Sequence, residues 1–156
     1  MQTVSINDLV SEVLALANSD LLLKDVAVSR QLSGALPSVH GDPIQLQQVL
    51  LNLIVNACEA MNGKPTGERL LFVKTTWDGN GHVRVSVSDS GDGIEPERSE
   101  KLFEPFYTTK PLGLGLGLPI CRSIVTAHGG RLWAEPAPTC GAVFYVELPV
   151  QTGVPA

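Results

Sequence analysis

The apolar positions of this chain recur with two periods, and the switches between them mark out its elements. Over residues 5–23, Ile6, Leu9, Val10, Val13, Leu14, Leu16 and Ala17 return at helical spacing. This predicts an amphipathic helix, with Asp8 and Glu12 near its start where acids suit the helix dipole. Residues 26–32 alternate as a strand does, and residues 33–42 read as a loop. Helical spacing resumes over residues 42–61, with Asp42 suited to the N-cap, Pro43 to the first helical position and Asn62-Gly63 to a stop. Two alternating runs, 69–77 and 82–89, flank the turn Asp78-Gly79-Asn80-Gly81 and predict a hairpin. Residues 98–118 follow neither period, and stretches of that length are usually functional lids or disordered. Residues 117–128 predict a third helix, stopped by Gly129-Gly130, and 131–134 with 142–149 predict two closing strands. No internal repeat is present. The order predicts an α/β two-layer sandwich of the α+β kind, with three helices on one face of a mixed, mostly antiparallel sheet.

The second helix departs from the usual surface pattern. At about 100° per residue, Gln45, Gln48, Asn52, Asn56 and Glu59 fall in one narrow stripe. Almost every other position is Leu, Ile, Val, Ala, Cys or Met. A surface helix shows the reverse, a broad polar face and a narrower apolar one. The pattern therefore predicts a mostly buried helix whose amides need partners, because an unpaired buried amide costs about 1–3 kcal/mol. Loop caps and water meet that need as well as a polar ligand or a hydrated metal does. The helix alone does not separate these readings.

Composition narrows the class. A chain of 156 residues suits one domain with one core. Its 44% hydrophobic and 17% charged content is that of a globular protein. With a net charge of −5 and no basic stripe, no nucleic-acid partner is expected. No apolar run is long enough to cross a bilayer and no signal peptide is visible, so a cytoplasmic domain without membrane contact is expected. Cys58, Cys121 and Cys140 are odd in number and lack CxxC spacing, which reads as reduced thiols rather than disulfides or zinc ligands.

Three motifs follow the striped helix. In Asp89-Ser90-Gly91-Asp92-Gly93 a strand delivers a carboxylate into a glycine turn that a flat ligand can approach closely. Such a carboxylate accepts well from an exocyclic amine such as adenine N6; a plain acidic turn has the same sequence. Residues 102–110, LFEPFYTTK, place Phe103 and Phe106 to anchor a loop base, with Thr108, Thr109 and Lys110 able to face a phosphate. A small hydrophobic plug with a solvated lysine is the plainer alternative. Gly113, Gly115 and Gly117 alternate with Leu114, Leu116 and Leu118 just before a helix. Backbone N–H groups at a helix N-terminus attract anions, although an apolar hinge looks the same.

In this order and spacing the motifs carry a specific resemblance. The chain resembles the nucleotide-binding domain of sensor histidine kinases, in the superfamily that includes DNA gyrase, MutL and the heat-shock chaperone ATPases. Asn52 to Asn56 match the N box, Asp89 to Gly93 the first glycine box, Leu102 to Lys110 the F box and Gly113 to Leu118 the second glycine box. The resemblance runs from about Val4 to Pro149 and looks closest to the nitrogen- and oxygen-sensing kinases. It implies a Bergerat-type ATP-binding fold and a single ATP-binding catalytic domain over residues 1–156, ordered over about 4–149. It implies ATP and Mg²⁺ as cofactors. Asp89 would bind the adenine amine, with Gly91, Gly93, Ile94 and Phe103 shaping the pocket. Asn56 would ligate Mg²⁺, with Asn52 beside the phosphates. Thr109, Lys110, Gly113, Leu114, Gly115, Leu116, Gly117 and Leu118 would hold or cover the triphosphate, and Asn52, Asn56 and Lys110 would carry catalysis.

Two departures refine the expectation. Gyrase-like ATPases carry a Glu one turn before the Mg²⁺-binding Asn, as a base for water. Here that place is Asn52, a carboxamide, so transfer to a side-chain nucleophile is expected rather than efficient hydrolysis. Many members also have a Lys three residues after the Mg²⁺ ligand, where this chain has Glu59, and a small residue where it has Pro119. None of His40, His82 and His128 lies in a phosphoacceptor context, and a structural or exposed role is expected for each. The implied partners are an acceptor-histidine helical hairpin of the same protein, upstream of Val4, and a response regulator downstream. A serine kinase or ATPase of the superfamily, or a nucleotide sensor without transfer, are the alternatives.

Overall fold

The computed structural model describes residues 1–98, 100–104, 117–138 and 140–151. Their order is β1 (Gln2–Val4), α1 (Ile6–Leu23), β2 (Ala27–Gln31), β3 (Val39–Gly41), α2 (Pro43–Ala60), β4 (Leu70–Trp77), β5 (His82–Asp89), α3 (Gly117–Ala127), β6 (Arg131–Pro136) and β7 (Ala142–Pro149). Three short 3-10 turns, Thr66–Glu68, Pro96–Arg98 and Lys101–Phe103, sit in the connections.

Each long helix starts where a side chain can take up its orphan amides. Ser5 accepts from Asp8 N at the head of α1. Asp42 Oδ1 accepts from Ile44 N at 2.9 Å and Gln45 N at 3.3 Å at the head of α2. The second start is fixed from behind as well. Asp42 N donates to His128 Nε2 at 3.0 Å, and His128 Nδ1 donates to the Ile124 carbonyl at 2.8 Å. His128 is buried and joins the end of α3 to the head of α2, a structural role. His82 starts β5 beside Asp78, and His40 is exposed on β3.

The five-stranded sheet has the order β2-β4-β5-β7-β6, parallel between β2 and β4 and antiparallel elsewhere. Alternation sends one set of side chains inward: Leu71 and Val73, Val83, Val85 and Val87, Leu132 and Ala134, and Phe144, Val146 and Leu148. These meet the buried faces of the helices in one core, so the expected sandwich is the observed one. The opposite face carries Arg84, Trp133, Tyr145 and Glu147, with the two rings stacked at 5.1 Å and Arg84 paired to Glu147 at 2.8 Å.

Two expectations change. The segment read as a loop contains β3, which pairs antiparallel with β1 in a small separate sheet. And α2 is less buried than its sequence suggests: Ile44 is 75% exposed and Val55 40% exposed, with Gln45 and Gln48 in solvent. The amide stripe borders solvent rather than the core, so only its inner members, Asn52, Asn56 and Glu59, are half-buried.

Candidate functional site

The site is built where the end of β5 meets the last turns of α2. Asp89 ends β5 and is only 5% exposed. Its Oδ1 accepts from Gly91 N at 2.8 Å and Ala142 N at 3.3 Å. Its Oδ2 is buried with no hydrogen-bond partner among the described residues. Burial raises the carboxyl pKa above the usual range, and the two backbone donors pull it back only in part. A buried carboxylate oxygen without a partner is costly, and a donor from water or from a ligand meets that cost.

Close packing aims this carboxylate. A Cβ on Gly91 would collide with the Ala60 carbonyl oxygen, so only glycine lets the turn lie against the end of α2. Ser90 locks the same turn by accepting from Leu70 N at 2.9 Å and donating to the Glu68 carbonyl at 2.6 Å. Asp89 and Asn56 are thereby brought to one end of the molecule, since Ala60 lies one turn beyond Asn56. Gly93 rests against Gly141, where an added Cβ would stand 2.9 Å from the carbonyl oxygen. Lys64, just past α2, reaches Asp92 at 3.9 Å.

The sequence reading overlooked Gly141 and Ala142. Gly141 has φ +86°, and a side chain there would run into the Asp89 backbone carbonyl. Its neighbour Ala142 supplies the second amide to Asp89. The strand that follows this turn was predicted, but the turn's contact with β5 is long-range.

On the other side, Asn52 is half-buried and its Nδ2 donates to Cys121 Sγ of α3 at 3.5 Å. Asn56 is half-buried one turn later. Phe103 is buried, edge-on to Phe144 at 6.2 Å, beneath the Arg122 guanidinium at 4.9 Å. Arg122 also pairs with Glu100 at 3.0 Å, which ties this turn to α3. Phe103 therefore packs between β7 and α3. Ile94 and Leu118 are partly buried against the core, and Gly117, opening α3, is exposed. Thr109, Lys110, Gly113, Leu114, Gly115 and Leu116, with Phe106 and Thr108, lie outside the described residues.

The polar side chains of α2 at this end include the carboxamides of Asn52 and Asn56, each able to offer a neutral oxygen. Among the described residues no group of three His, Cys, Asp or Glu is placed to hold a metal. Carboxamides on one helix face suit a divalent ion that takes its other ligands from phosphate and water. Among the same residues no helix is long and apolar enough to cross a membrane.

Comparison with known proteins shows the family and the fold. Residues 41–152 match the family described as histidine kinase-, DNA gyrase B- and HSP90-like ATPase. The sensor histidine kinase ZraS of Klebsiella oxytoca is 38% identical over 149 residues, which are 96% of this chain and 31% of that protein. The chain thus spans about a third of the length of this curated relative. The solved catalytic domain of histidine kinase ThkA is 36% identical with a TM-score of 0.82, covering 96% of this chain and 99% of that one. ThkA has also been solved in complex with the response regulator protein TrrA, at 33% identity and TM-score 0.81 over 96% of this chain and 42% of the other. Full-length ShkA, solved in complex with AMPPNP, is 30% identical with a TM-score of 0.84, over 97% of this chain and 31% of that one.

Proposed function

The chain belongs to the histidine kinase-, DNA gyrase B- and HSP90-like ATPase family, and from that premise we propose that it binds Mg-ATP and passes the γ-phosphoryl group to a histidine outside this chain. The observation that carries the reading is the buried oxygen of Asp89, unpartnered among the described residues, on a turn that packs against the end of α2 one turn past Asn56.

Asp89 Oδ2 accepts from the exocyclic amine of adenine, the only N–H donor that N9-substituted adenine carries. The closely packed turns at Gly91 and Gly141 hold that oxygen in place before the base arrives. Asn56 is the Mg²⁺ ligand, and Asn52 lies beside the phosphates. Bound Mg²⁺ supplies charge neutralisation to the triphosphate. Thr109, Lys110 and the glycine run from Gly113 to Leu118 are assigned to the phosphates on the sequence resemblance alone. The protein's part in catalysis is placement and charge stabilisation.

Asn52 decides between water and a side chain as acceptor. A carboxamide does not take up a proton, so this position provides no base to activate water. Imidazole is itself a nucleophile and needs less help. The acceptor histidine is supplied by a helical hairpin of the longer protein or its dimer mate, and a response regulator receives the phosphoryl group afterwards. His128, the buried histidine of this chain, is committed to Asp42 and Ile124.

The test is to mix the chain with a separately produced acceptor hairpin and γ-labelled ATP. Acid-labile, alkali-stable label on the hairpin histidine is expected, with little free phosphate. Steady phosphate release without labelled hairpin would assign the chain to the hydrolases of the family. ATP binding with neither product would leave a nucleotide sensor.

A further inference from the structure

The amide of Asn52 is held by a thiol. Cys121 lies in α3 and is fully buried, with its Sγ 3.5 Å from Asn52 Nδ2 and 3.9 Å from the Val49 carbonyl oxygen. A carbonyl oxygen only accepts, so the S–H serves Val49. The sulfur lone pairs are then left for Asn52, which must present its NH₂. The reverse amide orientation would set Oδ1 against those lone pairs and forfeit the bond. Burial pushes the thiol pKa up, and the Asn52 bond opposes this only in part, so the orienting proton stays on sulfur near neutral pH.

We propose that Cys121 is a positioning residue for the phosphate end of the site: it fixes Asn52 with Nδ2 toward α3, leaving Oδ1 as the acceptor offered to the hydrated tail of a bound Mg-nucleotide. The inference rests on the nucleotide reading of the site and adds the group that sets one amide's direction. It gives the buried thiol a role in orientation rather than in redox chemistry or metal binding.

The test compares affinities for ATP, with and without Mg²⁺, in wild type, Cys121→Ala and Cys121→Ser. Adenosine serves as the reference ligand, because it lacks phosphates and reports only the Asp89 end and the integrity of the fold. Cys121→Ala is expected to weaken Mg-ATP about fivefold, the scale of one neutral hydrogen bond, and to leave adenosine unchanged. Cys121→Ser, whose hydroxyl also donates and accepts, is expected to restore at least half of that loss. Unchanged Mg-ATP affinity in Cys121→Ala, equal losses for adenosine and Mg-ATP, or a serine variant no better than alanine would each overturn the proposal.

Should the variants not fold, wild type labelled with ¹⁵N at asparagine gives a direct reading by nuclear magnetic resonance. Slow rotation and slow exchange of the Asn52 NH₂ protons are expected, and a freely rotating amide contradicts the proposal. A wild-type chain that binds Mg-ATP but labels no acceptor histidine removes the transfer reaction alone; the affinities still judge Cys121. A wild-type chain with no ATP affinity removes both.

Discussion

Asp89 concentrates the physics of the site in one side chain. One oxygen is satisfied by two backbone amides and the other is buried with no partner among the described residues. Burial raises its folded pKa above the ordinary 3.8. The ligand-free folded state therefore holds this proton at pH values where the unfolded chain has released it. Its contribution to stability is fully present below that ordinary value and is lost as pH rises through the raised one. Denaturation midpoints followed upward from about pH 3.8 should accordingly fall more steeply for wild type than for Asp89→Asn, which has no proton to lose. Parallel curves for the two proteins would refute the burial argument. Asp89 was legible in the sequence because a strand ending in a carboxylate before two glycines is a local pattern. Gly141 and Cys121 were not, because their roles arise from contacts with residues 52 and 69 positions away, which no periodicity records.

Among the elements, α2 and the two glycine turns that touch the site do different work. Helix α2 was readable from its start, Asp42 and Pro43, while its cap falls on Met61, just before the Asn62-Gly63 predicted as its stop. Its burial was overread, since apolar composition does not distinguish a core position from Ile44 at 75% exposure. Strands β1 and β3 were missed because three residues are too few to show a period of two, and their pairing joins positions nearly 40 residues apart. The turn before β7 is the element whose rigidity matters most to Asp89. Gly141→Ala must either shift the backbone of β5 or leave the positive-φ region, and a loss of about 1–3 kcal/mol in unfolding free energy is expected. Nucleotide affinity should fall with it. A variant as stable as wild type by chemical denaturation would show that the turn is not clamped against Asp89.

At the scale of the whole molecule, the sheet separates a working face from a plain one. The helix side holds the core and, at one end, the site; the open side is closed by charge and ring stacking, with Arg84 bonded to Glu147 and lying over Trp133 and Tyr145. The sequence made both hairpins and the two layers readable, because alternation and turn chemistry are local. The strand order and the parallel pairing of β2 with β4 depend on how distant segments meet. The proposed binding mode has Asp89 read the amine of adenine while α2 faces the phosphates. Its most direct test is calorimetric affinity for ATP against inosine triphosphate, which carries a carbonyl in place of that amine, in wild type and Asp89→Asn. Wild type should prefer ATP by at least about tenfold, the scale of a hydrogen bond to a charged group, and Asp89→Asn should lose most of that preference. Equal affinity of wild type for the two nucleotides would contradict the account.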